Sequence, residues 1–409
     1  MLAPLGQRSV YLDLLRAAAI LLVATGHMLA KFSIPMDQPV FGRPIWVAMT
    51  QLAVSGVDLF YVLSGFLIGL LLLSELKAEG TIRIGRFYAR RALRLWPSYF
   101  LAILFASQWY RFVHPKFEGE PMRAPPFGAM WPFFLQVQNY YDIHVHHRLN
   151  IGAAMQTWTM VSLIHFYILL PPLLLLLAKL DGKRSLGSIR ALPWVVLAIA
   201  VACLAMRWRA APLTADGYDA WKHYFPTHLR IDEPMLGVLA AYWVLHARPT
   251  FERAMRYWPL VLLISVGALL PVALRAEEGP RFLVIWGYPV SGLGCLGLVL
   301  VAWWFTQPRP DGSRHLPPRP VAWFARIGVW SYSIYLWHQP LAPHLARMVR
   351  DRLFEIMVRR HMDPWHSAYQ YLMSAAVYFS IVIAIGAAAY YLIEKPSLRL
   401  RERWIPREP

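Results

Sequence analysis

Cysteine is nearly missing from this chain of 409 residues, which holds only Cys203 and Cys295. Both lie inside apolar runs, so a disulfide framework or a cysteine-based zinc site has no material and both read as buried thiols. Charge is scarce as well: 16% of residues are charged, against about a quarter in an average soluble domain. Acidic residues are the rarer sign, 23 against 41 Lys and Arg, leaving a net charge of +18. Neither an internal repeat nor an inverted pair of Gly/Pro-broken apolar runs is visible, which weakens a typical secondary-transporter architecture. What fills the chain is apolar: 57% hydrophobic residues, 14% aromatic, and a mean hydropathy of +0.40. That excludes disorder and fibrous repeats and argues against an ordinary soluble enzyme.

Apolar runs fall at 10–30, 50–74, 93–112, 156–178, 192–207, 232–247, 257–274, 283–305, 323–345 and 369–393. A hydrocarbon core of ~30 Å takes roughly 20 apolar residues per helix, so the fold expected is an all-α integral membrane protein with about ten transmembrane helices. The fifth and sixth runs are short. The domain reading is one membrane domain over 1–395 and a basic cytoplasmic tail over 396–409. The first run carries Asp13 and Arg16 and ends without a clean small-residue cleavage site, so it is not read as a signal peptide.

The basic residues sit in short clusters between apolar runs, which points to the lipid bilayer and not to nucleic acid as the partner of this charge. Lys77, Arg83, Arg86, Arg90, Arg91 and Arg94 crowd segment 75–94, and Lys395, Arg399, Arg401, Arg403 and Arg407 crowd the tail. Segment 113–155 holds only Lys116, Arg123 and Arg148. The asymmetry places both termini in the cytoplasm. Segment 346–368 breaks the pattern with Arg347, Arg350, Arg352, Arg359 and Arg360 on the outer side, and reads as an interfacial amphipathic helix.

The first run, YLDLLRAAAILLVATGHML, is the most informative. At about 100° per residue, Asp13, Arg16 and His27 share a sector of roughly 60°, with Ile20 between them and Ala17 and Ala24 along one edge. Arg16 and His27 lie roughly 16 Å apart along the axis, about half a bilayer. Ionisable groups inside a span are costly and usually face a cavity or pathway; the bland alternative is an ion pair near one interface and a snorkelling His near the other. Asp58 in the second run shares a face with Tyr61, Gly65 and Gly69, beside Ser64, and a buried carboxylate there needs a partner, for which Arg16 is the natural candidate. Helix packing through small residues is the competing account. FYARRALRLWP sets Arg91 and Arg94 one turn apart at an inner mouth, beside Arg90, a geometry that can grip phosphates or simply mark the cytoplasmic side. In SYSIYLWHQP, Ser331, Tyr335 and His338 share one face, although an aromatic belt explains Trp330, Tyr335 and Trp337 equally well. His165 reads as a helix-packing residue, and His144, His146 and His147 as a solvated loop, so no metal site is expected.

Taken in order, these stretches resemble the acyltransferase-3 family of membrane acyltransferases. LDLLRAAAILLVATGH is similar to its first-helix signature, with Arg16 and His27 at the family's arginine and histidine. GVDLFYVLSGFLI is similar to its second helix, and FYARRALRLWP to its basic motif, matched at Arg91 and Arg94. SYSIYLWHQPL and IEKPSLRLR resemble its last-but-one helix and its ending. The resemblance implies a ten-helix transmembrane acyltransferase domain in the stand-alone form, without an extracytoplasmic hydrolase-like domain. It implies acyl-CoA, most simply acetyl-CoA, as cytoplasmic donor, and a hydroxyl or amine of a saccharide or glycoconjugate as acceptor. One departure stands out: in the fourth-helix motif Trp158, Phe166 and Tyr167 are kept, but Leu163 stands where the family carries a glutamate.

The expected mechanism centres on His27, as base or as acyl acceptor, with Arg16 and Asp13 setting the electrostatics of the passage. Arg91, Arg94 and Arg90 would bind donor phosphates, and Asp58, Ser64, Tyr335, His338 and Trp158 are candidates on the pore or acceptor side. The rival is a proton-coupled transporter with Asp58, Asp13 and His27 as a relay. The charge asymmetry yields a direct prediction for cysteines introduced into intact cells. A membrane-impermeant thiol reagent is expected to label positions in 113–155 and to spare positions in 75–94; labelling within 75–94 would reverse the topology.

Overall fold

The computed structural model describes residues 9–31, 43–113, 116–117, 120–121, 130–141, 156–182, 189–214, 217–274, 279–308, 313, 315–360 and 367–406. Nearly all of this is helical. The helices are α1 (Val10–Lys31), α2 (Arg43–Glu79), α3 (Ile84–Val113), the single turn α4 (Trp131–Phe134), α5 (Trp158–Leu180), α6 (Leu192–Ala210), the single turn α7 (Ala220–His223) and α8 (Asp232–His246). There follow α9 (Arg248–Met255), α10 (Trp258–Leu274), the short α11 (Pro280–Phe282), α12 (Tyr288–Thr306), α13 (Arg319–Val329), α14 (Ser331–Trp337), α15 (Ala342–Arg359), α16 (Ser367–Ala389) and α17 (Lys395–Trp404). Among the described residues the one β pairing is Lys116–Phe117 with Glu120–Pro121.

Among the described residues six helical stretches are long and apolar enough to cross a membrane, or seven if α9 and α10, bent by 82°, form one span. The protein is thus a multi-pass helical membrane protein. The remaining apolar runs also lie on helices, with visible differences. In α3 the apolar part begins only after Arg86, Arg90, Arg91 and Arg94. Helix α8 has 15 residues, about 22 Å at 1.5 Å per residue, short of a ~30 Å hydrocarbon core. The run expected over 323–345 is broken: α13 stops at Trp330, α14 lasts only 7 residues, and a turn through His338 leads into α15. Helix α15 covers much of the segment expected to be amphipathic, burying Ala346, Phe354 and Met357 while exposing Arg352 and Arg359. The hydrogen bond from Arg352 and the charge of Arg359 hold the Glu355 carboxyl below the usual carboxylate range.

The chain divides into two units. The first comprises 1–19, 54–88 and 159–328. Its core joins Phe66, Leu70 and Leu73 of α2 with Phe166, Leu170 and Leu174 of α5, Val238 and Ala241 of α8, and Val299 and Trp303 of α12. Helix α10 packs along α12, while Leu260, Leu263 and Ile264 of α10 and Trp194, Leu197 and Val201 of α6 are exposed, as lipid-facing apolar side chains are. Both cysteines are buried free thiols in this unit. The second unit comprises 20–53, 89–158 and 329–409. Here α14 and α15 pack on α16, and Ile334, Leu336, Tyr378 and Val382 are fully buried.

Close helix approach in the first unit rests on two glycines. A Cβ on Gly237 of α8 would run into the Val62 carbonyl of α2, and one on Gly65 of α2 into the backbone of Pro234. Small residues let helix backbones touch where lipid offers no hydrophobic drive to association. Because the clashing atoms are backbone, no rotamer change relieves them. Gly237→Ala is therefore expected to destabilise the protein by about 1–3 kcal/mol, the usual cost of overpacking, read as a lowered unfolding midpoint in detergent.

Candidate active site

His338 closes α14, where the broken helix exposes main-chain carbonyls that need donors. Its ring is buried, 1% exposed, with Nδ1 2.8 Å from the Tyr335 carbonyl and 3.2 Å from the Ile334 carbonyl. A carbonyl only accepts, so Nδ1 carries the proton, and in the neutral ring Nε2 carries the lone pair. That Nε2 lies 2.9 Å from Nδ1 of His27 on α1, the two rings tilted at 37°. The donor across this contact is therefore His27 Nδ1–H, an assignment that follows from the hydrogen-bond network. It leaves the lone pair of His27 on Nε2, the atom turned away from the pair. A half-buried imidazole with a fixed tautomer is the arrangement a base or acyl-accepting nucleophile needs.

The partner ring is held rigidly. The Tyr335 hydroxyl donates to the Gln156 carbonyl, Gln156 Nε2 donates to the Leu336 carbonyl at 3.2 Å, and Ser333 Oγ donates to Glu394 at 2.6 Å. Gln138 Nε2 bridges Tyr99 Oη at 2.8 Å and Thr157 Oγ1 at 3.2 Å. Tyr335 and Trp337 are buried, which removes them from an aromatic belt, and Ser331 and Trp158 are buried too. Tyr335 thus supports the site through the backbone, and His338 belongs with His27. Their pairing was invisible in the sequence because it joins residues 311 apart.

On α1, Arg16 Nη1 donates to Asp13 Oδ1 at 2.5 Å, one turn away. Asp58 does not pair with Arg16. Its partner is Arg230, Nη2 to Oδ1 at 2.5 Å, and the same Nη2 reaches Glu233 at 3.2 Å. The physical reason is local: Arg16 pairs with Asp13 one turn away on its own helix, while Arg230 stands in the turn leading into α8, within hydrogen-bond reach of Asp58. Arg230 is fully buried and its guanidinium lies 4.2 Å from the Tyr288 ring centre and 4.7 Å from that of Tyr224. Beside it Arg207 grips Asp232 with two bonds of 2.7 and 3.1 Å and also donates to the Leu229 carbonyl. Sequence reasoning missed Arg230, Arg207, Asp232 and Glu233. The signal was present in HLRIDEP, where charges open an apolar run and demand buried partners. Ser64 is half-buried on α2 and takes no part in these ion pairs.

His165 shares a 2.8 Å hydrogen bond with Thr227 Oγ1, and Leu163, at the position of the family glutamate, is buried. Arg90 donates to Glu402 at 2.9 Å and to the Ile405 carbonyl, so part of the basic motif is already engaged by the C-terminal helix; Arg91 and Arg94 are half-buried on α3. Among the described residues no group of three or more His, Cys, Asp or Glu could hold a metal ion. His144, His146 and His147 lie outside the described residues, as do most of 113–155 and residues 361–366 and 407–409.

A predominantly helical, multi-pass membrane protein with ionisable groups paired inside its helices is the class that fold and site define. The chain belongs to the acyltransferase-3 family: the family profile, described as an acyltransferase domain, matches residues 9–394. It is similar to the peptidoglycan O-acetyltransferase OatA of Listeria monocytogenes, 25% identical over 70% of this chain and 44% of that protein. It is similar as well to the O-acetyltransferase OatA of Staphylococcus aureus, 23% identical over 70% of this chain and 45% of that protein. To the putative peptidoglycan O-acetyltransferase YrhL of Bacillus subtilis it is 24% identical over 83% of this chain and 50% of that protein. The chain spans about half the length of these relatives or slightly less. No solved structure matches it.

The buried ion pairs make a graded prediction. Three carboxylates, Asp58, Asp232 and Glu233, face two guanidiniums, Arg207 and Arg230. Arg230→Ala strands two carboxylates and is expected to cost about 3–5 kcal/mol of stability. Asp58→Asn leaves Glu233 on Arg230 and should cost clearly less, a ranking that unfolding midpoints of the two variants would check.

Proposed function

We propose that this protein is a membrane-embedded acyltransferase that moves an acyl group, acetyl in the simplest case, from cytoplasmic acyl-CoA to a hydroxyl or amine of a saccharide or glycoconjugate at the far face of the membrane. The single observation that carries the reading is the His27–His338 pair, a 2.9 Å hydrogen bond that fixes the orientation of the His27 ring and assigns its lone pair to Nε2. Family membership and the names of the relatives support acetyl transfer to a glycan such as peptidoglycan. The setting is the cytoplasmic membrane, crossed by a ten-helix core with both termini inside.

The acceptor hydroxyl attacks the thioester carbonyl carbon, the carbon–sulfur bond breaks, and the hydroxyl proton ends on the coenzyme A sulfur. His27 Nε2 serves this in either of two ways. As a base it takes the hydroxyl proton and returns it to the thiolate. As a nucleophile it accepts the acyl group and passes it on. In both, positive charge on the His27 ring is stabilised by Nδ1–H donating to His338 Nε2. Arg91 and Arg94 meet the donor's phosphates with forked, charge-assisted hydrogen bonds. If the glutamate of relatives holds or polarises the acceptor, Leu163 in its place means that this protein does so with other groups. The rival transporter relay loses support because Asp58 and Asp13 are each tied to a guanidinium, Arg230 and Arg16.

His27→Gln is the decisive variant. Gln keeps approximate size and a donor toward His338 but cannot take a proton, so transfer should fall at least about 10²-fold while coenzyme A binding persists. The assay is multiple-turnover transfer of radiolabelled acetyl from acetyl-CoA in proteoliposomes. Activity near wild type in the Gln variant would end the assignment. Label retained on wild-type protein without acceptor, and lost in the variant, would select the acyl-imidazole route.

A further inference from the structure

The basic motif of α3 meets the C-terminal helix at a single carboxylate. Glu402 of α17 is clamped from two sides. Arg90 Nη2 approaches its two oxygens at 2.9 and 3.2 Å, and Arg401 Nη2 and Nε approach one oxygen at 2.5 and 3.1 Å. Arg94 and Arg90 also press their like charge on Arg401. Two guanidiniums thus share one carboxylate, and with the charge of Arg94 nearby the cluster holds an excess of two positive charges. The arginines of the clamp are the covered members: side-chain exposure is 15% for Arg90 and 11% for Arg401, against 42% for Glu402. An exposed side chain is the part that can swing out by rotation about its own bonds, leaving the covered guanidiniums in place. Forked donors around a carboxylate offer the same bonds to a phosphate, which brings more charge and more acceptor oxygens.

We infer that Glu402 is a resident stand-in for a phosphate, and that Arg401 of α17 completes, with Arg90 and Arg94, a phosphate site into which the donor's phosphate enters as Glu402 leaves. The inference rests on the donor reading given above and adds to it a residue from the far end of the chain and a competing carboxylate. A phosphate monoester, carrying close to two charges at neutral pH, suits the excess better than the single charge of a phosphodiester. The 3′-phosphate of coenzyme A is such a monoester, whereas the phosphate of a glycerophospholipid is a diester, and the two sources separate in the test.

The opposite signs expected for neighbouring residues make the test discriminating. Binding of coenzyme A and of 3′-dephospho-coenzyme A to the full-length protein would be titrated in detergent. Arg401→Ala should weaken coenzyme A binding roughly 10- to 100-fold, the effect of one lost charge-assisted contact. Arg401→Lys should recover only part of it, lacking the fork. Glu402→Gln, which keeps size and removes the competitor, should tighten coenzyme A binding by about 3- to 10-fold and leave dephospho-coenzyme A nearly unchanged. If Glu402→Gln weakens binding, or if Arg401→Ala and Arg401→Lys both bind coenzyme A as wild type does, the inference is overturned while the donor reading stands on Arg91 and Arg94. Should Arg401→Ala fail to accumulate, the Lys and Gln variants decide alone. Binding to nanodiscs with and without phosphatidylglycerol covers the second source: an Arg401 effect confined to the anionic lipid would assign the phosphate to a headgroup and overturn the donor assignment. Wild-type protein that binds neither nucleotide would remove the donor reading itself.

Discussion

A guanidinium without access to water has to be matched by carboxylate charge, and much of the first unit is arranged around meeting that demand for Arg230. Taking an ion out of water costs several kcal/mol even after relaxation, and only close, hydrogen-bonded partners repay it. Asp58 on α2 and Glu233 on α8 supply the charge, Tyr224 and Tyr288 supply ring faces, and Arg207 with Asp232 closes the neighbouring position. Asp232 and Glu233 are neighbours at the start of α8, but Asp58, Arg207 and Tyr288 come from α2, α6 and α12, so the pairing fixes how α2, α6, α8 and α12 meet. The glycine contact between α2 and α8 is a corollary: Asp58 reaches the turn before α8 because the two backbones run almost in contact at Gly65 and Gly237.

The same economy governs the histidine pair. Neither ring faces a carboxylate in the contacts that set its tautomer; a main-chain carbonyl fixes His338, and His338 in turn fixes His27. Orientation is obtained from a helix end that would otherwise leave a carbonyl unsatisfied. The break between α14 and α15 therefore has a use. A continuous ninth helix would satisfy the Tyr335 carbonyl internally, as the His338 backbone N–H already does for Ile334, and would leave His338 without the acceptor at 2.8 Å that sets its proton.

Legibility in the sequence followed the range of the interaction. Asp13 and Arg16 are one turn apart on one helix, and their pairing could be read from spacing alone. His27 announced itself as an ionisable group at membrane depth, and the apolar runs located the helices. Contacts between distant stretches could not be read. The partner of Asp58 was misassigned because Arg16 was the nearer intramembrane cation in the sequence, while Arg230 lies 172 residues away. His338 was singled out by its helical face, yet its role came only from the ring across from it. The broken ninth run was hidden because the apolar residues on either side of His338, Gln339 and Pro340 read as one span, and hydropathy does not distinguish a straight helix from one interrupted by a turn.

Between α16 and α17 the backbone passes through one wide turn, Tyr390–Glu394, bonded i to i+5. Such a turn accommodates one residue more than an α-helical turn, and each residue advances a helix by roughly 100°. Everything after it is therefore out of phase with α16 by about that angle. The face that Arg401 and Glu402 turn toward Arg90 is consequently set by a residue count as much as by residue identity. Regular α-helical winding of those same five residues would keep every side chain of α17 and still rotate them by about that angle, whereas deleting one residue within 390–394 would restore regular winding with the cluster still facing Arg90, making the winding of that turn a geometric coordinate of the arginine cluster.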